Sequence, residues 1–329
     1  MRNLLGVDGG NSKTDVIIAD DMGQLRARVR GPGCSPDALG VSGFIDVLGP
    51  LVAAARRQAG LHVHETIDAA SLLIAGVDRP EQEQMVTRAL EPLKLGRQLV
   101  VSNDTFAVLL AGSTHGHGVA VVCGAGLNAV GVTPDGKVGR YQALGELSGD
   151  WGGGYAVGLA ALGAAIRGDD GRGTRTVLTA LLCQRFAVDS PQAVAAAIHE
   201  GRLDSQALVD LSPLVFDAAD NGDDVSCTIV DRVGDEVAAM AVAMLRRLRL
   251  TEGDTEVVLG GGLLQAGNSR LDARIQRLVH DAVSAAVLRV LDVPPVLGCA
   301  RAALAKLDTP EREIAEALRV LRKNLAVVA

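Results

Sequence analysis

Alternating apolar runs and polar breaks divide the chain into two similar series of elements. The apolar stretch LLGV ends in DGGNSK, and TDVIIAD then reads as a second strand. DMGQ supplies a turn and LRARVRG a third strand, which makes an antiparallel meander. GFIDVLGPLVAAARRQAG carries its apolar residues at helical spacing, and ASLLIAGVD is a buried strand. EQEQMVTRALEPL is a helix, RQLVVSND a strand ending in polar residues, and TFAVLLAG a short helix closed by Gly112. Strand, helix, strand, helix in this order implies a parallel portion within a mixed sheet.

The layout then recurs. GVAVVCGAGLNAVGVTPDGKVGRY (118–141) repeats the order of LLGVDGGNSKTDVIIADDMGQLRARV: strand, glycine turn, strand, Asp/Gly turn, strand, with Gly9 corresponding to Gly124. LVVSNDTFAVLLAG (99–112) is matched to EVVLGGGLLQAG (256–267), each a strand, a special loop and a short helix ending in Ala-Gly. Two related halves would turn their glycine loops toward a shared cleft. We therefore expect an N-terminal domain over residues 1–113 and a C-terminal domain over 114–308. Residues 153–250, helical throughout and without a Pro/Ser-rich linker, would be an insertion in the second domain. The amphipathic segment within 309–329 is expected to pack back on the first.

Composition narrows the classes. With 329 residues, 48% of them hydrophobic, the chain can bury two cores. Aromatics are only 2%, so Ala, Val, Leu and Gly must do the packing. A net charge of −7 argues against nucleic acid or an anionic membrane as a partner, because both select basic surfaces. The opening MRNLLGVDGG has too short an apolar run for a signal peptide, and no segment is expected to span a membrane. Cys34, Cys123, Cys183, Cys227 and Cys299 are scattered without C-x-x-C spacing, which reads as reduced thiols in a cytoplasmic protein.

Several residues could carry chemistry. D-G-G alone is most often an ordinary turn. Followed by small polar residues at a strand end, it could also gather backbone N–H groups around an anion, with Ser12 and Thr14 hydroxyls as further donors and Asp8 holding hydrated Mg²⁺. It is neither a P-loop nor a dinucleotide fingerprint. CGAG (123–126) and LGGG (259–262) are glycine turns after apolar strands too, and three such loops favour a nucleotide cleft. Asp104, where a strand gives way to a helix, is either a helix cap or a base for an alcohol attacking a phosphoryl group. In GELSGDWGGGYAVG, Asp150 is either an exposed loop acid or a ligand for sugar hydroxyls. The pairs His62/His64 and His115/His117 lack a third metal ligand and read as surface residues.

These segments together resemble the N-acetylglucosamine kinase group of the BadF/BadG/BcrA/BcrD ATPase family, within the actin-like sugar kinases. GVDGGNSKTDVIIAD is similar to the family's first phosphate motif, VVSNDTFAVLLAG to its first connecting motif and VVCGAGLNAVGV to its second phosphate motif. LSGDWGGGYAVG is similar to its G-D-x-G-x-G-Y segment and VVLGGGLL to its adenosine motif. The resemblance implies an α/β, two-domain actin-like (ribonuclease H-like) fold, each domain a mixed five-stranded sheet flanked by helices.

It further implies ATP-dependent phosphorylation of an amino sugar, N-acetylglucosamine first, at its 6-hydroxyl, with Asp104 as general base. Gly9, Gly10, Asn11, Ser12, Lys13 and Thr14, with Gly124 and Ala125, would hold the phosphates, and Gly260, Gly261 and Gly262 the adenosine. Asp8 would orient Mg²⁺ through water. Cys34, Ser35, Asn103, Gly126, Asn128 and Asp150 would face the sugar. Cleft closure and a homodimer are carried by the same resemblance. Three departures bear on the acceptor: G-A-G-L-N at 124–128 lacks the usual hydroxyls, Cys34 stands where the family often has Asn, and Trp151 replaces a usual Glu. The alternatives are an ATPase activator of a partner dehydratase, which would need cysteines for an iron–sulfur cluster, and a sugar- or nucleotide-sensing protein.

Overall fold

The computed structural model describes residues 1–62 and 65–327. Val63 and His64 lie outside the described residues, and with them half of the His62/His64 pair; so do Val328 and Ala329 of the terminal segment.

The first meander is β1 (Asn3–Gly9), β2 (Lys13–Asp20) and β3 (Leu25–Pro32), antiparallel throughout. Then come α1 (Pro36–Gln58), β4 (Ala69–Ile74), α2 (Pro80–Leu90), β5 (Gln98–Ser102) and α3 (Thr105–Gly112). β4 pairs in parallel with both β1 and β5, so the first sheet runs β3-β2-β1-β4-β5. The second series is β6 (Gly118–Cys123), β7 (Leu127–Val132) and β8 (Val138–Arg140). Five helices follow: α4 (Gly153–Asp169), α5 (Leu178–Phe186), α6 (Pro191–His199), α7 (Ser212–Asp220) and α8 (Asp224–Arg247). The chain continues through β9 (Glu256–Gly260), α9 (Gly262–Gln265), α10 (Ser269–Ala282), β10 (Val287–Val290), α11 (Val296–Lys306) and α12 (Glu311–Val327). The second sheet runs β10-β9-β6-β7-β8.

Read from the meander outward, the two sheets have the same order, and one expectation is corrected by it. β9 lies beside β6 as β4 lies beside β1, so β9 corresponds to β4, and β10 to β5. The match of segment 99–112 to 256–267 is therefore displaced by one strand. Both are parallel strands followed by a helix, and pairing partners, which local pattern does not encode, decide which is central.

α1 bears on the expectation that no segment spans a membrane. By length and composition it is apolar enough to cross a membrane. Its Phe44, Leu48, Val52 and Ala55 recur every three or four residues and pack with Leu5, Val7, Val16 and Ile18 on one face of the first sheet. Gly40, at φ 68°, breaks its first turn from the rest.

Two helices are exchanged between the sheets. α3 follows β5 of the first sheet but packs on the second: Val108 covers Gly260, and a Cβ on Gly112 would lie 2.4 Å from Val258 Cγ1. α11 follows β10 of the second sheet but packs on the first, with Ala303 and Leu304 against Leu4 and Ala69. The two helices cross so closely that a Cβ on Gly298 would stand 2.1 Å from the Ala107 carbonyl oxygen. A cut at 113/114 thus parts each helix from the sheet it covers. α12 packs with Ile314 and Ala317 beside Leu4, and Arg28 donates to the Leu325 carbonyl at 3.2 Å. The α4–α8 insertion lies between β8 and β9, and its apolar faces share one core with β6, β7 and β9.

Candidate active site

The turns after β1 and β6, the loop after β4 and the start of α3 bring most of the expected residues together. Asp8 is the penultimate residue of β1, opposite Asp15 of β2. It is only 8% exposed, and among the described residues nothing donates a hydrogen bond to its carboxylate. Burial, the largest cause, pushes its pKa up to about 7; the Lys13 and Arg30 cations oppose this, and Asp15 reinforces it. A buried carboxylate left without a donor fits a site for a hydrated divalent cation shared with phosphate oxygens.

In the first glycine turn, the Gly10 N–H donates to the Lys13 carbonyl at 2.9 Å, and Asn11, Ser12 and Lys13 are exposed. Gly9 needs its missing side chain, since a Cβ there would lie 2.7 Å from Cys34 Sγ. Lys13 reaches Asp15 at 3.0 Å. Asp15 also takes a two-pronged contact from Arg30, and these cations hold its carboxyl below the ordinary range despite burial.

Three of the expected site residues are placed as follows. The Thr14 side chain is fully buried and donates to the Pro32 carbonyl at 2.7 Å, so its hydroxyl proton is not a phosphate donor. Cys34 is fully buried among Val7, Phe44 and Ile74, a packing residue beneath the turn rather than a group facing a sugar. The Ser35 hydroxyl is buried with no hydrogen-bond partner, 2.8 Å from where a Cβ on Gly76 would stand.

The second turn is built differently. The Gly124 and Ala125 carbonyls accept from the Gly154 and Tyr155 N–H groups at 2.8 and 3.1 Å, so the turn caps α4. Gly153, at φ 78°, makes this possible, because a Cβ on it would lie 2.4 Å from Gly126 Cα. Gly124, Gly126 and Gly262 would meet nothing within 4 Å if given side chains. Gly261, at φ 89°, approaches the Cys123 carbonyl, which sets the third glycine turn directly against the second, while Gly260 lies under Val108. Trp151 is buried in the second core with the Arg232 guanidinium 3.9 Å from its ring centroid, so it packs rather than lining a cleft. Asp150 is buried and accepts from the Ser148 hydroxyl; among the described residues it shares no hydrogen bond with Asp104, Asn103 or Asn128.

Asp104 precedes α3 but does not cap it with its side chain. Asn103 takes that role, its Oδ1 accepting from the Thr105 N–H at 2.8 Å. Among the described residues no side chain donates to the Asp104 carboxylate. Burial first, then the negative charges of Asp8 and Asp78, raise its pKa to about 7, and the backbone N–H groups of Thr105 and of Asp104 itself lie against it and partly oppose the rise. Asp78 was not among the residues expected from the sequence. It follows β4, accepts from Asn103 Nδ2 at 2.7 Å and Asn128 Nδ2 at 3.0 Å, and its own pKa rises to about 6 through burial and Asp37. A signal was present: the triplet Gly-Val-Asp ends both the apolar run before Asp8 and the one before Asp78.

The family model of the BadF/BadG/BcrA/BcrD ATPases matches residues 5–302, which take in all but the first two residues of the two sheets and every site residue named in this section. The chain belongs to that family. Within reach of this ATPase family, the chain is 25% identical over 313 residues to an N-acetyl-D-glucosamine kinase of Dictyostelium discoideum, covering 92% of this chain and 97% of that protein. It is also 25% identical over 273 residues to an N-acetylmuramic acid/N-acetylglucosamine kinase of Clostridium acetobutylicum, covering 83% and 89%. A solved Chromobacterium violaceum structure, assigned provisionally as an N-acetylglucosamine kinase, superimposes with a TM-score of 0.68 at 24% identity over 98% of this chain and 99% of that one. The fold of this BadF/BadG/BcrA/BcrD ATPase is accordingly that of the actin-like sugar kinases.

Proposed function

We propose that the protein transfers the γ-phosphoryl group of ATP to a hydroxyl of an N-acetylated hexosamine, with N-acetylglucosamine as first candidate and the 6-hydroxyl as acceptor. One observation carries this reading: Asp104, at the start of α3, stands next to the Asn103–Asp78–Asn128 contact that joins the two sheets, and burial with the charges of Asp8 and Asp78 raises its proton affinity. Such a base can take the proton of an attacking alcohol at neutral pH. Relatives acting on N-acetylglucosamine along nearly the whole chain supply the acceptor class.

In this reading Asp104 orients the acceptor hydroxyl and receives its proton as the oxygen attacks phosphorus. The first glycine turn offers backbone N–H groups with the Ser12 hydroxyl and Lys13, and the second turn offers the open faces of Gly124 and Gly126. Asp8 would hold a Mg²⁺ ion, which when bound neutralises phosphate charge. Gly261 and Gly262 flank the nucleotide. Five free cysteines and consumption of ATP suit a cytoplasmic enzyme. A homodimer remains part of the reading.

The test is ADP release with ATP and Mg²⁺ against N-acetylglucosamine, glucosamine, N-acetylmannosamine, N-acetylmuramic acid and glucose. Release that depends on an N-acetylated hexosamine is expected. Nucleotide binding with no release on any sugar would refute the kinase and point to a sensor.

A further inference from the structure

Asp78 has entered so far only as a negative charge near Asp104 and a hydrogen-bond acceptor, yet its carboxylate joins the two sheets. It does not cap α2: its own N–H donates to Gln82 Oε1 at 3.1 Å, and Arg79 occupies the cap position. Its Oδ1 instead receives two amides, Asn103 Nδ2 at 2.7 Å from the first sheet and Asn128 Nδ2 at 3.0 Å from β7 of the second. Neither amide can turn over. Asn103 Oδ1 is engaged by the Thr105 N–H at 2.8 Å, and Asn128 Oδ1 by the Ala129 N–H at 2.7 Å. Both therefore present their N–H₂ groups toward one carboxylate oxygen.

We propose that Asp78 is a positioning residue of the acceptor site, fixing Asn103 beside Asp104 and holding Asn128 of the opposite sheet in register with them, so that a sugar meets both walls in one arrangement. The inference rests on the kinase reading for the identity of the base. A plain structural staple is the competing role. A separate bridge allows the two to be told apart: Arg140 of β8 donates to Glu83 of α2 at 2.6 Å and to Ser102 at 3.3 Å, and its guanidinium lies 4.8 Å from the Phe106 ring centroid. Loss of Asp78 therefore leaves the sheets joined.

Asp78→Ala and Asp78→Asn are compared with the wild type in steady-state kinetics, with KM for N-acetylglucosamine and for ATP measured separately. For Asp78→Ala, kcat/KM for the sugar is expected to fall about 100-fold, the scale of a misplaced reacting group, while KM for ATP holds within about 2-fold. Because both amides converge on one oxygen, Asp78→Asn keeps an acceptor there and is expected to recover most of the loss. Equal losses toward ATP and sugar, an Asn variant as poor as the Ala variant, or a lowered melting temperature with unchanged sugar kinetics would each overturn the proposal. The kinase reading fails separately, on a wild type that releases no ADP with any sugar. In that case calorimetric titration of N-acetylglucosamine decides the present point: at least about 10-fold weaker binding by Asp78→Ala supports it. Equal affinities, or no binding by the wild type, overturn it.

Discussion

Asp104→Asn separates a base from a mere helix-start residue, because it keeps the side chain's shape while removing its charge and its proton affinity. Two effects of opposite sign are expected. Loss of a general base costs about 10²–10⁴-fold in turnover. Stability should move the other way. In the folded protein burial, Asp8 and Asp78 hold the Asp104 pKa at about 7, against 3.8 for a free carboxyl. The folded state thus binds this proton more tightly than the unfolded chain, so stability falls as pH rises from about 4 and is lowest once the pH passes about 7. At 1.36 kcal/mol per pKa unit the ionised group costs at most about 4 kcal/mol, and its partial exposure lowers that figure. The Asn variant carries none of this cost.

The assay pairs ADP release with thermal melting at pH 4, 6 and 8. The expected result is a variant nearly inactive on sugar at every pH, equal to wild type in melting temperature at pH 4, and more stable by a few degrees at pH 8. Wild-type kcat/KM should itself fall below about pH 7 as the base becomes protonated. Near-normal turnover would show that Asp104 is not the base. A melting difference that did not grow with pH would refute the account of its environment.

Other positions give independent tests. Gly153→Ala forces a Cβ to 2.4 Å from Gly126 Cα at φ 78°, so it should destabilise the fold by about 2–4 kcal/mol and weaken nucleotide affinity, read by chemical denaturation and calorimetry. Cys34→Ser places a fully buried hydroxyl among Val7, Phe44 and Ile74 with only the Thr14 side chain as a polar neighbour, so urea denaturation should show a loss of about 1 kcal/mol. The order of preference among sugars should stay unchanged, and a reordered preference would return Cys34 to the acceptor site. Arg30→Ala leaves the buried Asp15 with Lys13 alone. It should shift acid unfolding toward higher pH, because part of the stability supplied by the lowered Asp15 pKa is then absent as the pH falls.

The meanders, the helical insertion and the glycine turns were legible in the sequence, because each is written in local period and in residues that punctuate it. Asp8 and Asp104 were legible for the same reason, as polar residues at the ends of apolar strands. Asp78 was not, although its Gly-Val-Asp echoes the first strand; its importance lies in two partners that are 25 and 50 residues distant. Thr14, Cys34 and Trp151 misled in the opposite direction. Each adjoins a loop in sequence, while its side chain turns away, the first to a backbone carbonyl and the other two into cores.

By itself the sequence determined which segments are strands or helices, that the architecture is doubled, and which turns can approach an anion without side chains in the way. These follow from φ/ψ preference and the alternation of apolar and polar positions, which act over a few residues. Only the tertiary structure decided that β9 is central and β10 peripheral, that α3 and α11 each cover the other's sheet, and that one carboxylate gathers an amide from each half. Those choices depend on which surfaces bury one another and on charges felt through a desolvated interior, neither of which has a period along the chain.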